Sequence, residues 1–362
     1  MYLTSRLKSI AIATAIVLSG SVVKAQSELE EVAINFEAFV GEKQFECGTS
    51  YEEVGTGDST ITPTDFRFYV SNVALIDSEG NVVPVELEQD GKWQYQNVAL
   101  LDFENGTESC DNGNSETRTQ VVGTVPQGEY KSLQFTMGIP AELNHDDAAI
   151  APSPLNLTSM WWNWQGGYKF LRLELETSEA IATVSSNFSS ISQTSYSKPG
   201  ESTTLINQQT VSSHGNSSTT QTSTQTSVVH NGHGTHHQAS STHSHGDHGG
   251  HGGHGGHQKH GNNNAYIIHL GSTGCSESTQ SNLFSCANPN RVEVKLENFD
   301  VEKNVVGADI GQLLADSNLG TNQENTPNGC MSSPKDGDCL PILENLNLSS
   351  SPDGEQNLFF MK

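Results

Sequence analysis

The chain has 362 residues, 33% of them hydrophobic, and carries 42 acidic against 17 basic side chains for a formal charge of −25. That balance repels nucleic acid and anionic membrane surfaces, and it favours cations and basic partners. The solubility needed by an exported protein is the plainer account of the same charge.

The first residues have the pattern of an export signal. Arg6 and Lys8 precede an apolar stretch from Ile10 to Val23, and Val23-Lys24-Ala25 is a small-x-small cleavage site. The apolar part is well short of the roughly 20 residues that span a bilayer, so cleavage after Ala25 is expected rather than membrane insertion. No cysteine follows the apolar run, which argues against a lipoprotein. The mature protein is expected to be periplasmic or secreted.

Period-two alternation then recurs. Val32, Ile34 and Phe36 alternate with polar or small neighbours, as do Leu133, Phe135, Met137 and Ile139, and later Val292, Val294 and Leu296. Phe66, Phe68 and Val70 predict another strand, kinked near Ser71-Asn72, and Ser78-Glu79-Gly80-Asn81 predicts a hairpin turn before Val82. The one good helix signal is Asp309 to Asp316, with Asp309 as its cap and Ile310, Leu313 and Leu314 on one face. These patterns predict an all-β fold, an antiparallel sandwich or distorted barrel with short helices.

From about Ser178 to Asn264 the composition changes to Ser, Thr, Gln, Gly and His, with too few large apolar residues to offset the entropy of ordering. This stretch is expected to be a disordered insertion between two strands, Tyr168 to Leu175 and Ala265 to Leu270. The expected organisation is therefore a signal (1–25) and one β domain made of 26–177 and 265–362, interrupted by 178–264. Twelve of the fourteen histidines lie between His214 and His260. Of these His230, His233, His236, His237, His243, His245, His248, His251, His254, His257 and His260 form a dense run suited to loose, interchangeable binding of Cu, Zn or Ni.

Six cysteines in an exported chain favour disulfides. The short spacings make Cys275 with Cys286 and Cys330 with Cys339 the economical pairs, leaving Cys47 with Cys110. No spacing is CxxC, so a zinc ribbon or a thioredoxin-like site has no support. There is also no GxSxG, P-loop, HExxH or haem-attaching CxxCH.

Only His145 and His269 stand in globular-looking sequence, where two imidazoles suit copper or zinc and disfavour Mg or Ca. Met331 offers a thioether, a donor that favours Cu(I). Asp146 and Asp147 either ligate, orient His145, or form a solvated turn. Three of the four tryptophans cluster at Trp161, Trp162 and Trp164. An extended backbone there puts Trp162 and Trp164 on one face and Trp161 on the other. Core packing and a partner surface are the ordinary readings of such a cluster.

In combination these segments resemble the MbnP family of periplasmic copper-binding proteins, found with methanobactin and other bacterial copper systems and also described as four-cysteine metallo-mystery-pair proteins. The resemblance is carried by Asp65 to Val73, Leu100 to Gly106, Gly138 to His145, Ala151 to Leu157, Met160 to Phe170, His269 to Cys275, Cys286 to Arg291 and Gly329 to Ser332. It implies a non-enzymatic copper protein working beside an MbnH-like, MauG-type dihaem peroxidase that oxidises a tryptophan to kynurenine and so completes a copper site. It further implies Trp162 or Trp164 as the modified residue, His145 and His269 as ligands of Cu(I) or Cu(II), and exchange with copper donors or acceptors. The alternative is a periplasmic metal scavenger that works through the His-rich insertion.

Overall fold

The computed structural model describes residues 28–111, 113–163, 165–184, 263–277, 284–349 and 354–362, together with the backbone of Leu205–Val211 and Thr219–Gln225. The export segment, Trp164 and the histidines from His214 to His260 fall outside the described residues.

Two sheets face each other. One places Leu29–Val40 between Gln120–Pro126 and Val306–Asp309, with Phe359–Met361 and Glu86–Leu87 at its edges. The other runs Val292–Glu297, Tyr130–Met137, Ser59–Asp77, Leu171–Thr177, Ala265–Leu270 and Gly329–Cys330. Neither sheet closes on itself, so the sandwich and not the barrel is the architecture adopted. Most pairs are antiparallel. Leu29–Val40 with Val306–Asp309, and Ala265–Leu270 with Gly329–Cys330, are parallel.

The alternation read from the sequence supplies the layer between the sheets. Phe36 packs edge-on against Phe68 and Phe135, with ring centroids 6.2 and 5.7 Å away, and Phe359 closes on the same two rings at 5.3 and 5.2 Å. Each such ring, fully buried, contributes about 1.5–3 kcal/mol relative to exposure. Asn72 adopts a left-handed φ of 53°, and the register with Tyr130–Met137 shifts between Gln134 and Thr136, which is the expected kink. At the expected hairpin, Asp77 Oδ1 accepts the amides of Glu79 and Asn81, and Gly80 takes φ +86°. The helix Ile310–Leu314 starts where Asp309 Oδ1 accepts the Gly311 and Gln312 amides, and it buries Ile310, Leu313 and Leu314. A second helix, Cys339–Asn345, was not foreseen.

The larger sheet is covered on its outer face as well. Chain from Ile139 to Phe170 folds over it and forms a second apolar cluster with Tyr69, Leu100, Leu155, Met160 and Phe170, all fully buried. This cover explains why Asp65 and Arg67, on the outward positions of Ser59–Asp77, are only 2% and 3% exposed.

Leu171–Thr177 pairs antiparallel with Ala265–Leu270, so the insertion leaves and returns between neighbouring strands as expected. Its ends are more ordered than composition suggests. Ile181 is buried, the Thr177 and Ile181 amides bond to the carbonyls of Asn264 and Asn263, and Ala182–Val184 lies parallel to Thr321–Gln323. The expected boundaries at Ser178 and Asn264 therefore move inward, because one buried isoleucine and a few backbone bonds suffice to anchor short flanks. Within the insertion, the backbones of Leu205–Val211 and Thr219–Gln225 pair as an antiparallel ribbon.

All three expected disulfides form: Cys47–Cys110, Cys275–Cys286 and Cys330–Cys339, with Cα separations of 5.7, 3.8 and 4.7 Å. Among the described residues no helix is long and apolar enough to cross a membrane.

Candidate metal centre

The outer face of the larger sheet carries a polar row that the strand register builds directly. Asp102, Arg67, Arg172 and His269 are successive Cα partners across four adjacent strands, and Glu174 sits opposite Asp65 one step along. On each strand the intervening residues face the core, so every second position delivers a charged or polar group to the same face. The covering segment then buries Asp65, Arg67, Asp102 and His269 and leaves Arg172 and Glu174 partly exposed.

Burial makes pairing obligatory, and the row is paired. Arg67 binds Asp65 through two nitrogens, and its third reaches toward Glu104 at 3.7 Å. Arg172 Nε lies 3.1 Å from Asp65 and donates to Glu174 at 2.8 Å, and Glu174 Oε1 also meets His269 Nε2 at 2.8 Å. Burial opposes the Glu174 charge, but the bonds from His269 and Arg172 outweigh it and hold the carboxyl well below its ordinary range. Burial is also the largest influence on His269, pushing its imidazole below the usual value against the pull of Glu174. With Glu174 held as the carboxylate, the hydrogen of their shared bond sits on Nε2. No hydrogen bond engages Nδ1 among the described residues, which is the arrangement of a metal-binding imidazole oriented by a carboxylate.

His269 opens on a cavity of about 680 Å³ whose wall also includes Trp162, Lys169, Cys275 and Met331. Trp162 lies on the short strand Trp161–Asn163, and its indole rests on the backbone of Gly271: a Cβ at that position would come within 2.7 Å of the ring. Trp161, one residue earlier, packs instead against the outer apolar cluster, as alternation requires. Its indole nitrogen has no hydrogen-bond partner among the described residues. Lys169 Nζ donates to the Ser159 carbonyl at 2.7 Å, and burial, followed by the nearby Arg172, lowers its ammonium to about 8.

The sequence-predicted residues divide as follows. His269, Met331 and Trp162 share the cavity. His145 lies beside the Cys275–Cys286 disulfide and is not among the residues that line the cavity: its Nε2 is 3.6 Å from Cys286 Sγ and 3.2 Å from Asn144 Nδ2, and its ring stacks on Phe284 at 4.2 Å. Asp147 Oδ1 accepts the Ala149 amide, the turn reading of that acid, and burial raises the Asp146 carboxyl against the pull of His145. Trp164 and the auxiliary histidines lie outside the described residues. Arg67, Arg172 and Glu174 were missed as site residues. The available signal was that Arg172 and Glu174 alternate with Leu171, Leu173 and Leu175, a pattern shared with any strand facing water.

A sequence profile named MbnP matches residues 29–232, more than half of the chain. The chain belongs to the MbnP family. Among solved structures, MbnP from Methylosinus trichosporium superposes with a TM-score of 0.63 at 23% identity, covering 92% of this chain and 98% of that one. No curated protein matches the sequence. At that identity the structural likeness concerns the fold, and the MbnP sandwich is therefore the framework on which the cavity is built. Family membership supports a copper-related role in the setting of methanobactin systems.

Proposed function

We propose that this chain is an exported, non-enzymatic copper-binding protein whose ordered site is the cavity at His269. One observation carries the reading: a buried imidazole, whose Nδ1 has no hydrogen bond among the described residues, shares a cavity with a thioether and an indole. This donor set fits copper. Imidazole serves either oxidation state and thioether sulfur favours Cu(I), and no carboxylate is among the described residues that line the cavity, so a hard cation would find only neutral oxygens there. His269 Nδ1 and Met331 would hold the ion, and Glu174 would fix the tautomer that presents Nδ1. His145, beside the disulfide wall, is the second imidazole of this reading.

The finer part of the proposal is that Trp162 or Trp164 becomes kynurenine through a partner dihaem peroxidase of the MbnH type. Indole is the ring most readily oxidised in the cavity, and the conversion replaces one of its carbons with oxygen. The product's arylamine and carbonyl would add two polar groups to a wall that already holds Asn163, Gln165, Ser272 and Thr273. Export to the periplasm accords with the three disulfides.

Copper titration tests the site. His269→Ala is expected to abolish the tightest equivalent and Met331→Leu to weaken the Cu(I) form selectively; unchanged tight binding in His269→Ala would overturn the reading. His145→Ala decides whether the second imidazole shares that ion. The twelve histidines of the insertion favour a second reading, a scavenger with the sandwich as scaffold. It predicts several weak equivalents that are lost when residues 185–262 are removed.

A further inference from the structure

We propose that the Cys275–Cys286 disulfide is a redox gate to a second metal site, in which the two cysteine thiolates and His145 form a three-donor set for a soft or borderline cation. The ligand atoms of His145, Cys275 and Cys286 all lie within 4.8 Å of one another. Among the described residues this is the one group of three His, Cys, Asp or Glu side chains with such convergence. It shares His145 and the Cys275 wall with the copper reading but requires neither His269 nor an oxidised tryptophan.

The fold holds the three donors in place from two directions. Cys275 and Cys286 are register partners on the ribbon formed by Thr273–Glu277 and Phe284–Asn288, so their side chains remain adjacent whether or not the sulfurs are bonded. His145 comes from the turn that follows Ile139, and Phe284 stacks on its ring with 25° between the planes. The imidazole therefore already faces the sulfurs, with Nε2 3.6 Å from Cys286 Sγ.

While bonded to each other, the sulfurs are poor ligands, because the thiolate is the metal-binding form of cysteine. Opening requires two electrons and two protons from a dithiol reductant: the Cys275–Cys286 bond breaks, two thiols form, and the reductant closes its own disulfide. A cation then displaces the two thiol protons. Exchange needs access for the attacking thiolate, and exposure separates the three disulfides. Cys330 and Cys339 are fully buried, and Cys110 is fully buried although its partner Cys47 is partly exposed, whereas Cys275 and Cys286 are both partly exposed. Cys275 also lines the cavity at His269, so opening the gate places a thiolate in that wall and changes the donors available to copper.

The test uses the full chain carrying His269→Ala, which removes the proposed copper site, reduced with a phosphine and titrated anaerobically with Co(II). Cobalt bound by thiolate gives a sulfur-to-metal charge-transfer band that the imidazoles of the insertion cannot produce. The expected result is a band that saturates near one equivalent, absent from unreduced protein and from Cys275→Ser/Cys286→Ser. His145→Ala should weaken cobalt binding by at least about tenfold, equivalent to 1.4 kcal/mol. Peptide mapping should show Cys275–Cys286 opening before the other two bonds. The proposal is overturned if the band persists in the double serine variant, if it is absent once mapping shows the bond open, or if a buried disulfide opens first. Loss of copper binding by His269→Ala alone bears only on the preceding reading.

Discussion

Removing the Glu174 side chain tests whether the polar row holds His269 in its metal-binding orientation. Glu174→Ala deletes acceptors for two donors, His269 Nε2 and Arg172 Nε, each 2.8 Å away. Arg172 retains Asp65 at 3.1 Å, so its charge stays paired, whereas the buried His269 N–H loses its only partner among the described residues. An orphaned buried donor costs about 1–3 kcal/mol and a lost hydrogen bond to a charged group about 1.5–3 kcal/mol. The Glu174 side chain is 20% exposed, so water recovers part of this, and the expected loss is about 2–4 kcal/mol for Ala and about half as much for Gln. Urea denaturation measures the loss. Nitrogen chemical shifts of the metal-free protein measure the tautomer, which should be Nε2–H in the parent and mixed in Glu174→Ala. A stability change below about 0.5 kcal/mol, typical of an unremarkable surface position, together with an unchanged tautomer, would refute the argument.

Other outcomes follow from the same geometry. Burial raises the Asp102 carboxyl to about 7 against the pull of Arg67. The folded state therefore binds a proton more tightly than the unfolded chain, and this contribution to stability, complete below the ordinary carboxylate value of 3.8, is lost as pH rises through about 7. Asp102→Asn should flatten that slope in denaturation midpoints measured across the range; an identical slope in both proteins would contradict it. Gly271→Ala should displace the Trp162 ring, seen as a shift in tryptophan emission and weaker copper binding, because the added methyl would meet the ring at 2.7 Å and the Tyr168 carbonyl oxygen at 2.5 Å. The Cys47–Cys110 bond closes a separation of 63 residues and Cys275–Cys286 one of 11, so serine pairs should cost about 4 and about 3 kcal/mol respectively, and a reversed order in thermal unfolding would sink the loop-entropy account. Deleting residues 185–262 should leave the unfolding transition nearly unchanged, because Thr177 and Asn264 already close that end of the sheet.

The sequence made some of this legible and hid the rest for identifiable reasons. Val32, Ile34 and Phe36 announced a half-buried strand because their period of two is the strand's own period. Asp309 announced a helix start because its carboxylate meets amides two and three residues on. His269 and Trp162 stood out by rarity and clustering, and they do share a cavity. Arg67, Arg172 and Glu174 did not stand out. Their alternation with large apolar residues is also that of a sheet with one wet face, and only the fold of Ile139 to Phe170 over the outer face shows that Arg67 is buried and that Arg172 and Glu174 are largely covered. The place of His145 was equally hidden, since the disulfide beside it is set by ribbon register. The helix Cys339–Asn345 escaped notice because it is only seven residues long and contains Pro341, within its first turn, where proline is tolerated.

The central claim is that one copper ion occupies the cavity at His269. Crystals of protein purified from its native host, with diffraction recorded on either side of the copper absorption edge, test it most directly. The account predicts a single strong anomalous peak about 2 Å from His269 Nδ1, the ordinary metal–imidazole distance, beside Met331 and an oxidised Trp162 or Trp164. A cavity without a copper peak, in protein whose copper is bound elsewhere and whose tryptophans are intact, would contradict it.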